Sequence, residues 1–213
     1  MNKTTQMRPF GMRDKIGYAF GDIANDFTFI LSSTFLMKFY TDVMGVSTSV
    51  IGVLMMVARF VDAFTDVTMG RIVDTSKVGK NGKFRPWLLR GSGLVAFASF
   101  LMYASWFRDM GMTFKIVWIF VTYLLWGSVF YTMVNIPYGS MASGITEDPV
   151  QRTQLSTYRT VGATIASLVI SSGVPMIVYY EDAAGNQVFS GTRFTIVALI
   201  FSILAVLCYL VCY

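Results

Sequence analysis

Apolar residues run through the chain in six long stretches, separated by short segments rich in charge, Gly or Pro. A helix crosses a bilayer with about 20 mostly apolar residues. The pattern therefore predicts helix I over Ile16–Tyr40, helix II over Ser49–Ile72 and helix III over Pro86–Trp106. Helix IV follows over Phe114–Pro137, helix V over Tyr158–Tyr180 and helix VI over Thr192–Tyr213. Residues 1–15 form a polar N-terminal segment and residues 16–213 an all-α membrane bundle. Within it, connections are expected over about 73–85, between II and III, and about 138–157, between IV and V. Pro86 suits a first helical turn, where its missing N–H is not needed, and Pro137 is expected to end or kink helix IV. Trp87 and Trp106 bracket helix III as interfacial aromatics do.

Polar residues break this pattern at a few places, and those places carry the chemistry. Asp22 and Asp26 lie in helix I; Asp62 and Asp66 lie in helix II. Each pair is spaced i, i+4 and so shares one helical face, and Arg59 joins the second face. A charge at the centre of a spanning helix costs about 2.5–3.5 kcal/mol on insertion scales, so these residues need partners or a water-filled cavity. At 1.5 Å per residue, Asp26 lies about 15 Å into helix I and Asp62 about 20 Å into helix II. Both depths fall near the middle of a hydrocarbon core about 30 Å thick. Helix IV offers Thr132 and Asn135 at similar depth.

Composition agrees with a membrane setting. The chain is 54% hydrophobic and 14% charged, with mean hydropathy +0.58, where soluble domains carry about 25% charged residues. The net charge of +5 follows from topology. Lys3, Arg8, Arg13 and Lys15, then Arg71, Lys77, Lys80, Lys83, Arg85 and Arg90, then Arg152 and Arg159 fall on one side. Only Arg108, Lys115 and Arg193 fall on the other. By the positive-inside rule the richer side, N-terminus included, is cytoplasmic, and no nucleic-acid partner is needed. Lys38 reads as a side chain snorkelling to the outer headgroups. The absence of His removes His-based metal sites and triads. Cys208 and Cys212 read as buried thiols of helix VI. The charged first fifteen residues do not read as a cleaved leader.

Carboxylates at the midplane can bind a cation, Na⁺ or a proton, or accept hydrogen bonds from the hydroxyls of a polar substrate. Asp62 and Asp66, with hydroxyl or amide groups from helix IV, would make a small-cation site; they are metal ligands only if the cation is Na⁺. Arg59 can alternatively neutralise Asp62 or Asp66 in a static pair, although four acids and one arginine leave surplus negative charge. Paired carboxylates also serve glycoside hydrolysis, but no soluble domain or nucleophile–base pair accompanies these. No enzyme activity and no cofactor are expected.

Five stretches carry a family resemblance: GYAFGDIANDF (Gly17–Phe27), FYTDVMG (Phe39–Gly45), VARFVDAFTDVTMGRIVD (Val57–Asp74), GKFRPW (Gly82–Trp87) and NIPYGSM (Asn135–Met141). The chain resembles the N-terminal half of the glycoside–pentoside–hexuronide:cation symporters of the major facilitator superfamily. The resemblance implies a twelve-helix carrier of which this chain is one six-helix half. Such a carrier works by alternating access in the bacterial inner membrane and is coupled to H⁺ or Na⁺. It implies Asp62, Asp66 and Thr132 as the cation site, Asp26 as a contact to sugar hydroxyls, and Arg159 near the sugar. Arg159 also reads as a positive-inside anchor. Asn135 and Asp22 are further substrate-side candidates, with Arg59 the charge partner. Melibiose-type members carry an acid where this chain has Asn135 and an aromatic where it has Gly139. The NIPYGS and GDxAN forms resemble the glucuronide and xyloside branch. The expected partners are a sugar or glycoside, lipid, and either a C-terminal half or a second copy. Alternatives are a non-transporting six-helix scaffold and a carrier of lipid-like cargo.

Overall fold

The computed structural model describes residues 9–79, 82–183 and 185–213. Lys3, Arg8 and Lys80 lie outside the described residues. The described chain forms helices α1 (Met12–Lys38), α2 (Thr48–Thr75), α3 (Arg85–Met102), α4 (Met112–Leu124) and α5 (Thr132–Ile145), then α6 (Pro149–Leu168), α7 (Val174–Val178) and α8 (Gly191–Cys212). A two-stranded antiparallel hairpin, β1 (Tyr179–Glu181) and β2 (Gln187–Phe189), precedes α8. Two π-helical turns fuse neighbours into single rods. Leu125–Tyr131 joins α4 to α5, and Val169–Gly173 joins α6 to α7. Six rods result among the described residues.

Four of these rods, Arg85–Phe107, Met112–Ile145, Pro149–Val178 and Gly191–Cys212, are long and apolar enough to cross a membrane by length and composition. The α1 and α2 helices are 27 and 28 residues long. Their charged positions keep composition alone from marking them as spans.

Several boundaries differ from the sequence pattern. Helix IV does not end at Pro137, which sits inside α5. A π-helical turn over Leu125–Tyr131 lies upstream of it. The IV–V connection expected over about 138–157 shrinks to residues 146–148. Asp148 caps α6 by accepting from Val150 N at 2.8 Å, and Pro149 fills the first turn; this pairing starts a helix immediately. The II–III connection spans residues 76–84, close to the expected 73–85. Helix III stops at Met102, before a short 3-10 turn at Ser105–Phe107, and helix V stops at Val178, where the hairpin begins.

The α1 helix is central, packed on α6 and α8; α3 packs on α8 and α5, and α2 packs on the α4–α5 rod. Close approach is made possible by glycine, as at many membrane helix crossings. A Cβ at Gly21 would run into the Tyr138 ring and lie 2.8 Å from Cys212 Sγ; one at Gly162 would lie 2.9 Å from Ala19 O. These crossings bring α1 onto α5, α6 and α8, which fixes the depth of the helix I acids against helices IV and V. The far face of α2 has no partner among the described residues: Phe60, Phe64 and Val67 are exposed.

Candidate functional site

The helix II acids meet hydroxyls of the α4–α5 rod in two matching rungs. Ser128 Oγ donates to Asp62 Oδ1 at 2.5 Å, and Thr132 Oγ1 donates to Asp66 Oδ1 at 2.9 Å. Both pairs are offset by 66 residues, because the two rods run in the same direction and each carries its polar groups at i, i+4. Ser128 and Thr132 are buried, Asp62 is half-buried and Asp66 is exposed. Arg59 Nη1 lies 3.5 Å from Asp62 Oδ2, with its own side chain 73% exposed. Arg59 thus faces Asp62 and leaves Asp66 with Thr132. Among the described residues, no three of His, Cys, Asp and Glu gather into a metal-ligand group. A cation between these rods would have two carboxylates and two hydroxyl oxygens to draw on, a donor set suited to a hard monovalent ion or a proton.

The helix I acids lie in a separate cavity of about 410 Å³, lined by Asp22, Asp26, Tyr131, Ser156, Arg159 and Thr160 among others. Arg159 Nε donates to Asp22 Oδ1 at 2.7 Å; the Asp22 side chain is 7% exposed and that of Arg159 46%. The guanidinium also stands 5.6 Å from the centre of the Tyr138 ring. Tyr138 stacks on Tyr18 at 4.7 Å and donates its hydroxyl to Tyr18 O at 2.7 Å. Asp26 Oδ2 is buried with no hydrogen-bond partner among the described residues. A buried carboxylate oxygen without a donor is costly, and here it lines an open cavity.

Asn135 lies one helical turn beyond Tyr131 and is half-buried. Its Oδ1 accepts from Asn25 Nδ2 at 3.4 Å, and Asn25 Oδ1 in turn accepts from the Tyr209 hydroxyl at 2.5 Å. The structure thus brings Asp62 and Asp66 to Ser128 and Thr132, and Asp22 and Asp26 to Arg159, as two groups. A larger cavity of about 700 Å³, among Arg13, Lys83, Phe84, Arg85 and Tyr213, holds none of the predicted site residues.

Sequence reasoning missed Ser128, Asn25 and Tyr209. Ser128 had a signal, since it precedes Thr132 by the same four residues that separate Asp62 from Asp66. Asn25 was visible as an amide beside Asp26. Nothing in the sequence ties Tyr209 to either, because that contact spans 184 residues.

The family described as MFS/sugar transport protein matches residues 17–213. The chain belongs to this family, among the symporters of the major facilitator superfamily, and is an integral membrane protein. It is 38% identical over 160 residues to the glucuronide carrier protein homolog of Escherichia coli (strain K12), covering 75% of this chain and 34% of that one. It is 37% identical over 158 residues to the inner membrane symporter YicJ of the same organism, covering 74% and 34%. It is 34% identical over 199 residues to the isoprimeverose transporter of Lactiplantibacillus pentosus, covering 93% and 40%. The chain therefore spans less than half the length of the curated relatives it matches.

Proposed function

We propose that this chain forms the N-terminal six-helix half of a cation-coupled carrier for glycosides, pentosides or hexuronides. The half is completed by a C-terminal half or a second copy and works by alternating access. All six rods cross the bacterial inner membrane, with the N-terminus and the II–III and IV–V connections on the cytoplasmic side, where the basic residues concentrate. Asp62, Asp66 and Thr132 hold the coupling cation, H⁺ or Na⁺, with Ser128 as an added oxygen and Arg59 as the charge partner of Asp62. Asp26, Arg159, Asp22 and Asn135 form the sugar side. Sugar and cation each raise the other's affinity, as linkage requires of any coupled pair.

The observation that carries this reading is the cavity beside helix I, where Asp26 Oδ2 is buried without a donor among the described residues. A sugar hydroxyl supplies the missing hydrogen bond, while the Asp22–Arg159 pair fixes a cation beside it. Relatives named for glucuronide and isoprimeverose support a sugar as cargo. The test is glycoside binding by the completed carrier with Asp26→Asn. Hydroxyl bonds to a carboxylate contribute about 1.5–3 kcal/mol, so binding should weaken at least about tenfold. Unchanged affinity would remove Asp26 from the site. A chain that assembles with its partner but takes up no glycoside would favour the scaffold reading.

A further inference from the structure

The chain Tyr209–Asn25–Asn135 has a direction, and its direction decides which end of the Asn135 amide is left free, one helical turn from Tyr131 of the helix I cavity. Tyr209 is 1% exposed and Asn25 2%. A buried phenol hydroxyl must donate to something, and the acceptor within reach of Tyr209 is Asn25 Oδ1, at 2.5 Å. That contact fixes which end of the Asn25 amide faces helix VI. Its NH₂ group then faces helix IV and donates to Asn135 Oδ1. With its oxygen so engaged, the half-buried Asn135 has its own NH₂ left, and among the described residues that group makes no hydrogen bond. The opposite orientation would require Tyr209 to accept from Asn25 and leave its own O–H without an acceptor in the core.

Resting on the carrier reading above, we propose that Asn25, oriented by Tyr209, is a positioning residue that sets the Asn135 amide as a hydrogen-bond donor on the substrate side. The site is thereby biased toward a substrate bearing an oxygen acceptor, most strongly a sugar carboxylate. A donor offered to a carboxylate makes a charge-assisted bond, roughly twice as strong as one to a neutral oxygen. The Arg159 guanidinium adds a positive group in the helix I cavity, partly neutralised by Asp22.

The test compares uptake of p-nitrophenyl β-D-glucuronide with p-nitrophenyl β-D-glucoside by vesicles holding the completed carrier. The two probes differ only at C6, a carboxylate in one and a hydroxymethyl group in the other. Asn25→Leu keeps a similar volume but offers no donor, so Asn135 loses the partner that holds its oxygen inward and its NH₂ outward. The glucuronide KM should then rise about tenfold relative to the glucoside KM, as expected for losing a hydrogen bond to a charged group. Tyr209→Phe, which removes only the hydroxyl, should shift the same ratio in the same direction by less. A purely structural role would move both KM values together or lower kcat alike for both probes, and an unchanged ratio in both variants overturns the proposal. A wild-type carrier that takes up the glucoside but rejects the glucuronide overturns it too, while leaving the carrier reading intact. Uptake of no glycoside from a panel adding the matching xyloside overturns both.

Discussion

Replacing Arg159 with Gln strands a buried carboxylate, and the resulting loss should exceed that from removing the carboxylate itself. Arg159 Nε and Asp22 Oδ1 are 2.7 Å apart, with Asp22 almost wholly buried and Arg159 46% exposed. Breaking a fully buried pair by removing one partner costs about 3–5 kcal/mol, whereas exposed pairs contribute about 0–1 kcal/mol. The half-exposed arginine places this pair between those limits, at about 2 kcal/mol for Arg159→Gln. A chain of this size loses about 2–4 °C of Tm per kcal/mol, which predicts a fall of about 4–8 °C. Asp22→Asn removes the buried charge and leaves an arginine that water can solvate, so its cost should be about 1 kcal/mol or less. The double variant should therefore resemble Asp22→Asn rather than the sum of the two. The assay is thermal unfolding in detergent micelles for the wild type, both single variants and the double variant, read as a double-mutant cycle. Equal losses from the single variants, with additivity in the double, would refute the account of Asp22 and Arg159 as one coupled pair.

Other outcomes follow from the same geometry. Gly21→Leu forces a side chain into Tyr138 and Cys212. It should separate α1 from α5 and α8 and lower Tm by more than Gly139→Leu, since a Cβ at Gly139 meets nothing; overpacking typically costs about 1–3 kcal/mol. Thr132→Val keeps the shape but leaves Asp66 without its hydroxyl donor; cation-stimulated glycoside binding should fall, whereas Thr132→Ser should retain most of it. At the turn after helix I, Asp42 accepts from Lys38 Nζ at 2.7 Å, and this hydrogen bond holds its carboxyl below the ordinary value. A carboxyl lowered in the folded state stabilises it above the unfolded pKa, and that contribution disappears as pH falls through the folded one. Carbon-detected NMR titration should show Asp42 protonating later on acidification than in Lys38→Met.

The rods were legible as apolar stretches, four of them long and apolar enough to span a bilayer, and Pro86 marks the first turn of α3; the start of α6 at Pro149, nine residues before the expected Tyr158, was missed. What escaped the pattern was set by interactions between segments or by local backbone irregularity. Pro137 did not stop its helix, which runs on to Ile145, and hydropathy carries no trace of the π-turn at Leu125–Tyr131. The V–VI hairpin hid behind the apolar run Met176–Tyr180, whose last two residues leave the helix and pair with Phe189 and Val188. The acids of the candidate site were visible as charges out of place. Their division into a helix II–IV ladder and a helix I–V cavity was not, since spacing along one helix says nothing about which neighbour it meets. Ser128 shows the boundary best: its spacing from Thr132 was readable, but its contact with Asp62 depends on α2 and the α4–α5 rod lying side by side and running in the same direction.

The central claim is that the acids of helix II couple a cation to sugar bound beside helix I. Its most direct test is glycoside affinity of the completed carrier, measured with and without Na⁺ and across pH, for the wild type and Asp66→Asn. The account predicts that the cation raises wild-type affinity, and that the variant still binds glycoside with no cation response. Full cation stimulation in Asp66→Asn would contradict it.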